Sequence, residues 1–174
     1  MPDDKHYRAE RVLTATPEVV FAFLDDPARL VGHMAKRSLM MAGGRMSLAL
    51  DAAGGQSIGS VINLRGNMLG LSLAVDEQVV DRQVPLRKTW QTIRTPKLIL
   101  LAGYRMGFEL RDEQGSTRTL IWIDYSLPIV GAPALLGRWF GQAYARWCVD
   151  HMLQDAVDRF GERPDVSGSR ATQS

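Results

Sequence analysis

The sequence predicts an α+β domain. A curved antiparallel sheet of about seven strands, in the order β-α-α-β6-α, is expected to wrap around a long C-terminal helix. Three features carry that expectation. A short strand is followed at once by a proline-started helix. The middle of the chain alternates apolar and polar residues at period two. The stretch Pro133–Phe160 then runs without an internal proline between turn signals. A twisted antiparallel sheet with one apolar face needs a cover, and only the last helix is long enough to supply it.

His6–Leu13 reads as the first strand. Thr16 caps the helix that follows, with Pro17 at its first position, where no N–H bond is lost. Val19, Val20, Phe23 and Leu24 give that helix its expected buried face. Asp26-Pro27 repeats the start signal for a second short helix over Pro27–His33. Met40–Leu50 contains a Gly43-Gly44 break and places Met46, Leu48 and Leu50 on one face. Gly54-Gly55 is a turn. Ser57–Leu64 and Met68–Arg82 are strands, the second carrying Leu69, Leu71, Leu73 and Val75 at period two. Leu86–Arg94 follows a Val84-Pro85 turn, and Thr95-Pro96-Lys97 starts another.

Leu98–Leu127 is the clearest hairpin. Tyr104, Met106, Phe108 and Leu110 share one face of its first strand; Ile121, Ile123, Tyr125 and Leu127 share one face of its second. A turn over Asp112–Ser116 puts Glu109 opposite Arg118 and Arg105 opposite Trp122. The last helix shows two apolar stripes where one is enough. Leu136, Phe140, Tyr144, Trp147 and His151 form one; Gly137, Gly141, Ala145, Cys148, Met152 and Ala156 form the other. Residues 161–174 are almost without apolar side chains and are expected to be a disordered tail after a single domain of residues 1–160.

The 174 residues suit one domain that needs neither disulfide nor metal to fold. With 21 basic and 19 acidic residues and no basic block, no nucleic-acid surface is expected. The single Cys148 excludes an intramolecular disulfide and fits a reducing compartment. The opening MPDDKHYRAER has no apolar run and reads as no signal peptide, and no window is long and apolar enough to span a bilayer, so a cytoplasmic location is expected.

The opening VLTATPEVVFAFLDDPARL, the hairpin LLAGYRMGFEL…LIWIDYSLP and the final helix together resemble the helix-grip superfamily. That superfamily includes the START lipid-transfer domains, the polyketide cyclase/dehydrase-like proteins and the plant pathogenesis-related ligand binders. The resemblance covers about Tyr7–Phe160. It implies a final helix lying across a curved sheet, with a binding cavity between them; a fold alone does not give a function.

Four groups of residues are candidates for function, each beside a plainer reading. Leu71, Leu73, Trp90, Tyr104, Met106, Phe108, Ile121, Ile123 and Tyr125 point to one side of the sheet, as core or as the wall of a cavity. The hydroxyls of Tyr104 and Tyr125 and the indole of Trp90 need polar partners, which a ligand or water would supply. Lys88 shares the face of Trp90 and reads as a carboxylate holder at a pocket mouth or as a solvated strand end. Gly137, Gly141 and Ala145, with Cys148, leave space under the first half of the last helix, or else serve close helix packing. Phe140, Tyr144 and Trp147 then turn outward as a contact surface for a second copy or an anionic membrane, with Arg138 and Arg146 nearby; a rotated helix would instead turn them into the pocket. His6, His33 and His151 have no metal-ligand spacing, so no metal is expected. Cys148 with His151 is a nucleophile pair only if it is not an inert buried thiol.

The expected function is binding or carriage of a small hydrophobic or amphipathic molecule, lipid-like or polyketide-like, without a cofactor, in a largely apolar cavity on the order of a few hundred Å³. No catalytic residue is assigned. The alternatives are a cyclase or dehydratase that acts through Tyr104, Tyr125 or Lys88 as acid or base, and an interaction module that docks through the aromatic helix face.

Overall fold

The computed structural model of the chain describes residues 5–29, 46–68, 71–94, 101–128 and 137–164. Strand β1 is Lys5–Leu13 and helix α1 is Pro17–Leu24. Strands β2 (Met46–Leu50), β3 (Val61–Met68), β4 (Leu71–Gln83), β5 (Arg87–Thr92), β6 (Gly103–Glu113) and β7 (Ser116–Ser126) follow. A π-helical turn, Gly137–Gly141, leads into helix α2, Gln142–Phe160. All seven strands form one antiparallel sheet in the order β1-β7-β6-β5-β4-β3-β2. After β1, each strand pairs with its sequence neighbour, and β7 closes back on β1. This is the helix-grip architecture: a meander with one helix laid across its inner face.

The alternation that betrays the strands in sequence sorts their faces in space. In β7, Thr117, Thr119, Ile121, Ile123 and Tyr125 are buried, while Arg118, Leu120, Trp122 and Asp124 are partly open on the other side. The buried side receives α2 through Ala145, Val149, Met152, Leu153 and Ala156. These pack chiefly over β1 and β7, and the Tyr7 hydroxyl on β1 donates to Asp150 Oδ1 at 2.9 Å. The helix ends where Gly161 takes φ 76° and its N–H returns to the Val157 carbonyl at 2.8 Å.

Helix α1 starts at Thr16-Pro17 as expected, but its buried face is Pro17, Val20, Phe21 and Leu24. The expected Val19 is 50% exposed and Phe23 is only partly covered. The rotation follows from Phe21, whose ring meets Phe108 edge-on at 5.4 Å while the Arg82 guanidinium lies over it at 5.3 Å. Of the second short helix, Pro27–Arg29 are helical, with Asp26 Oδ1 accepting the Ala28 N–H at 3.0 Å. Its remainder lies outside the described residues, as do the Gly43-Gly44 break, Leu69, the Thr95-Pro96-Lys97 turn and Pro133–Leu136.

The hairpin register differs from the expected one by two residues. Glu109 faces Leu120, Phe108 faces Ile121 and Arg105 faces Asp124. The cause is a tight turn at Gln114-Gly115, with φ 56° and 85°, in place of a five-residue loop. A shift of two keeps every side chain on its face, so the inner and outer sets survive while the pairs change. Arg118 bonds Glu113 and, at 3.1 Å, Glu10 rather than Glu109. Glu162 bridges to Leu13, and the Arg163 N–H donates to the Val12 carbonyl at 2.8 Å, so the chain is tied to β1 beyond residue 160. Among the described residues no helix is long and apolar enough to cross a membrane.

Candidate functional site

Because α2 packs over β1 and β7, the far side of the sheet is bridged rather than filled. A cavity of about 120 Å³ lies there. Strand periodicity builds its sheet wall in pairs of residues two apart: Ile62 and Leu64 on β3, Val75 and Glu77 on β4, Lys88 and Trp90 on β5, Tyr104 and Met106 on β6. Ile123, Leu101, Pro27, Arg65 and Gly66 also line it. The roof is the stripe of α2 next to the packing stripe: Tyr144, Trp147, Cys148, His151, Met152 and Asp155.

Glu77 interrupts an otherwise apolar inner edge of β4, between the buried Val75 and Val79, and is itself 6% exposed. The Tyr104 hydroxyl donates a short hydrogen bond to Glu77 Oε1. Burial pushes the Glu77 carboxyl up to about 7, against the opposing pull of the Tyr104 bond and the Lys88 charge. Burial, then the neighbouring carboxylate, holds the Tyr104 hydroxyl well above its ordinary range. The site therefore contains a carboxyl that exchanges its proton near neutrality beside a phenol that does not ionise.

Lys88 is 3% exposed. Its Nζ donates to Asp25 Oδ1 at 2.6 Å, to the Asp25 carbonyl at 3.2 Å and to the Gly55 carbonyl at 2.9 Å. An ammonium has three donors, and all are taken. Arg82 Nη2 also donates to Asp25 Oδ2 at 2.7 Å. Burial lowers the lysine's pKa in spite of Asp25. The reading of Lys88 as a carboxylate holder at a pocket mouth or as a solvated strand end is thus corrected: it is an interior clamp joining β5 to the end of α1 and to the Gly54-Gly55 turn.

The α2 face is corrected as well. Tyr144 and Trp147, expected outward if the small stripe faced in, stand at the cavity, with Trp147 stacked between Tyr144 (centroids 6.0 Å) and His151 (5.0 Å). Phe140, on the π-helical turn, is 53% exposed, and its neighbour Trp139 is 75% exposed. Gly141 is buried and Ala145 is fully buried, both away from the cavity lining. The physical reason is the position of the helix over the sheet edge. Ala145 and Ala156 of the small stripe pack over β1 and β7, while Cys148 and Met152 join the aromatic stripe over the open part.

Of the other expected wall residues, Trp90, Tyr104, Met106, Ile123 and Cys148 are brought together. Phe108 and Ile121 have no exposure and belong to the solid core under α1. Tyr125 is 3% exposed and lies outside the lining, with Arg146 as its charged neighbour. Leu71 and Leu73 are placed only by their backbones, opposite Met68 and Gly66. Burial pushes the Cys148 thiol up to about 12, and its polar neighbour is Tyr144, so no Cys148–His151 nucleophile pair forms. Among the described residues no group of His, Cys, Asp and Glu could hold a metal ion.

Glu77 is the polar group of the cavity that sequence reasoning passed over. For Glu77 the signal was present: Leu71, Leu73, Val75, Glu77 and Val79 share one side of a period-two strand, and an acid on that side is out of place. His151 belongs to the aromatic stripe that a rotated helix turns into the pocket, and the structure places it there. Among the described residues, its Nε2 is buried without a hydrogen-bond partner.

A sheet meander gripping a C-terminal helix over a cavity defines the helix-grip class, and this chain has that fold. No model of a known protein family matches the sequence, and no curated protein matches it. Solved structures do match. Truncated norcoclaurine synthase from Thalictrum flavum aligns over 91% of this chain and 93% of its own, with a TM-score of 0.62 and 13% identity. Protein CV1439 from Chromobacterium violaceum aligns over 92% and 98%, with a TM-score of 0.60 and 17% identity. Ara h 8.0201 aligns over 89% and 99%, with a TM-score of 0.58 and 9% identity. At these identities the likeness is one of fold.

Proposed function

We propose that the protein binds a small hydrophobic or amphipathic molecule in the cavity between the sheet and α2. One observation carries this reading: a wall of hydrocarbon and aromatic surface, including Trp90, Met106, Ile123 and Trp147, enclosing a few convergent polar groups. That is the usual make-up of a small-molecule site. In this reading the rings of Trp90 and Trp147 stack on the ligand and the Glu77–Tyr104 pair orients its polar end. Native mass spectrometry of protein purified from its own host tests it, followed by titration of the extracted species against tryptophan fluorescence. A copurified molecule that rebinds and perturbs Trp90 or Trp147 is the expected result; an empty protein that no small apolar molecule perturbs would sink the proposal.

A second reading, proton-transfer catalysis of the cyclase or dehydratase kind, is favoured by Glu77. A carboxyl with a pKa near 7, hydrogen-bonded to a tyrosine in a largely apolar cavity, suits general acid–base work. One structural neighbour is norcoclaurine synthase, and a point mutant of it is solved in complex with a transition state analogue. Incubation of the bound species with protein and with the Glu77→Gln variant separates the readings. Catalysis predicts a product that the variant fails to make while still binding; simple binding predicts no product from either.

A further inference from the structure

Among the described residues, the charged groups Lys88, Arg65 and Asp155 at the cavity are all engaged. Lys88 spends its donors on Asp25 and Gly55. Arg65 donates to Asp76 Oδ1 at 2.5 Å and to the Val75 carbonyl at 3.0 Å, and Asp155 is likewise engaged. Among the described residues, His151 Nε2 is buried without a hydrogen-bond partner, and Glu77 has Tyr104 as its one hydrogen-bond partner. His151 is held flat against Trp147 at 5.0 Å and 16°, so its ring is positioned although its nitrogen is unmet. Buried polar atoms in native proteins nearly always find a partner.

The volume narrows the occupant further. A cavity of about 150 Å³ holds benzene, and this one is about 120 Å³. The space is of the size of a single ring. Resting on the ligand-binding reading above, we infer that the ligand is a single-ring molecule bearing a hydroxyl, a phenol or a cyclic alcohol, whose hydroxyl meets His151 or the Glu77–Tyr104 pair. A hydroxyl both donates and accepts. It therefore satisfies either tautomer of the histidine and either protonation state of Glu77. A carboxylate ligand would oppose ionised Glu77, and a bare hydrocarbon would leave His151 unmet.

Calorimetric titration at pH 7 with phenol, toluene and decanoate tests this, because phenol and toluene share one shape and differ by a hydroxyl. The expected result is phenol binding about 10-fold more tightly than toluene, which is the size of one net hydrogen bond, and decanoate failing to displace phenol. In His151→Phe the preference for phenol should shrink or vanish while toluene still binds, which also shows that the cavity is intact. Toluene equal to or tighter than phenol, or decanoate tightest of the three, overturns the ring-alcohol inference and leaves the cavity a ligand site. Failure of all three to bind overturns the ring-alcohol inference, while the ligand-binding reading stands or falls on the copurified species.

Discussion

Glu77 occupies a position where the alternation of β4 calls for an apolar side chain, and its ionisation is therefore linked to stability. Its carboxyl titrates near 7 in the folded protein against an ordinary value of 4.5. A raised value means that the folded state holds the proton more tightly. The associated stability is complete below the unfolded pKa and is lost as pH rises from about 4.5 through about 7, by on the order of 3 kcal/mol. Urea unfolding at pH 5 and pH 8 should show the wild type losing more stability than Glu77→Gln, which has no proton to release; equal losses would deny the burial of the charge. Lys88 makes the opposite case. Lys88→Met removes a fully engaged cation and leaves the Asp25 and Gly55 carbonyls unpaired. The Asp25 carboxylate keeps Arg82 as its partner, so the cost is that of the unpaired carbonyls, about 1–3 kcal/mol, and the same denaturation experiment should show a loss of that order.

Among the elements, strands were easier to read than the contacts between them. Period two is a local property, and the inner faces of β4, β6 and β7 can be traced from the order of the side chains alone. The turn of the β6–β7 hairpin was not readable in the same way. Asp112, Glu113, Gln114, Gly115 and Ser116 offer several turn geometries, and a shift of two residues leaves each face unchanged while replacing every cross-strand pair. The clamp on Lys88 was further out of reach, because Asp25 and Gly55 lie 63 and 33 residues away in sequence. One close approach between elements has a direct test. Gly107 on β6 stands under Trp122 of β7, and a Cβ there would meet the Lys88 carbonyl at 2.7 Å and the Trp122 ring at 2.9 Å. The first contact is backbone and cannot swing aside. Gly107→Ala should cost about 1–3 kcal/mol, read as a fall in Tm, whereas Gly115→Ala, whose Cβ meets nothing within 4 Å, should suffer only from its φ of 85°.

At the scale of the whole molecule, the decisive fact is where α2 crosses the sheet. Sequence displays its two apolar stripes but not the crossing point, which depends on how β1 and β7 pair. That is why the small stripe was expected over the cavity and the aromatic stripe away from it. Over β1 and β7 the close fit of Ala145, Val149 and Ala156 leaves no room, and toward β4 and β5 the same helix spans a gap. The division into a solid half and a hollow half makes a prediction about function and stability together. Val75 is 5% exposed and lines only the hollow half. Val75→Phe adds hydrocarbon where there is empty volume, so the unliganded fold should be unchanged or modestly more stable. A ligand that binds only the folded state adds about 2.7 kcal/mol at a concentration of 100 Kd. With phenol at saturating concentration the wild type should therefore gain Tm, and Val75→Phe should gain little or nothing because the space is occupied. If the variant keeps the full ligand-induced shift, the bound molecule lies somewhere other than between β4 and α2, and the cavity is packing slack rather than a site.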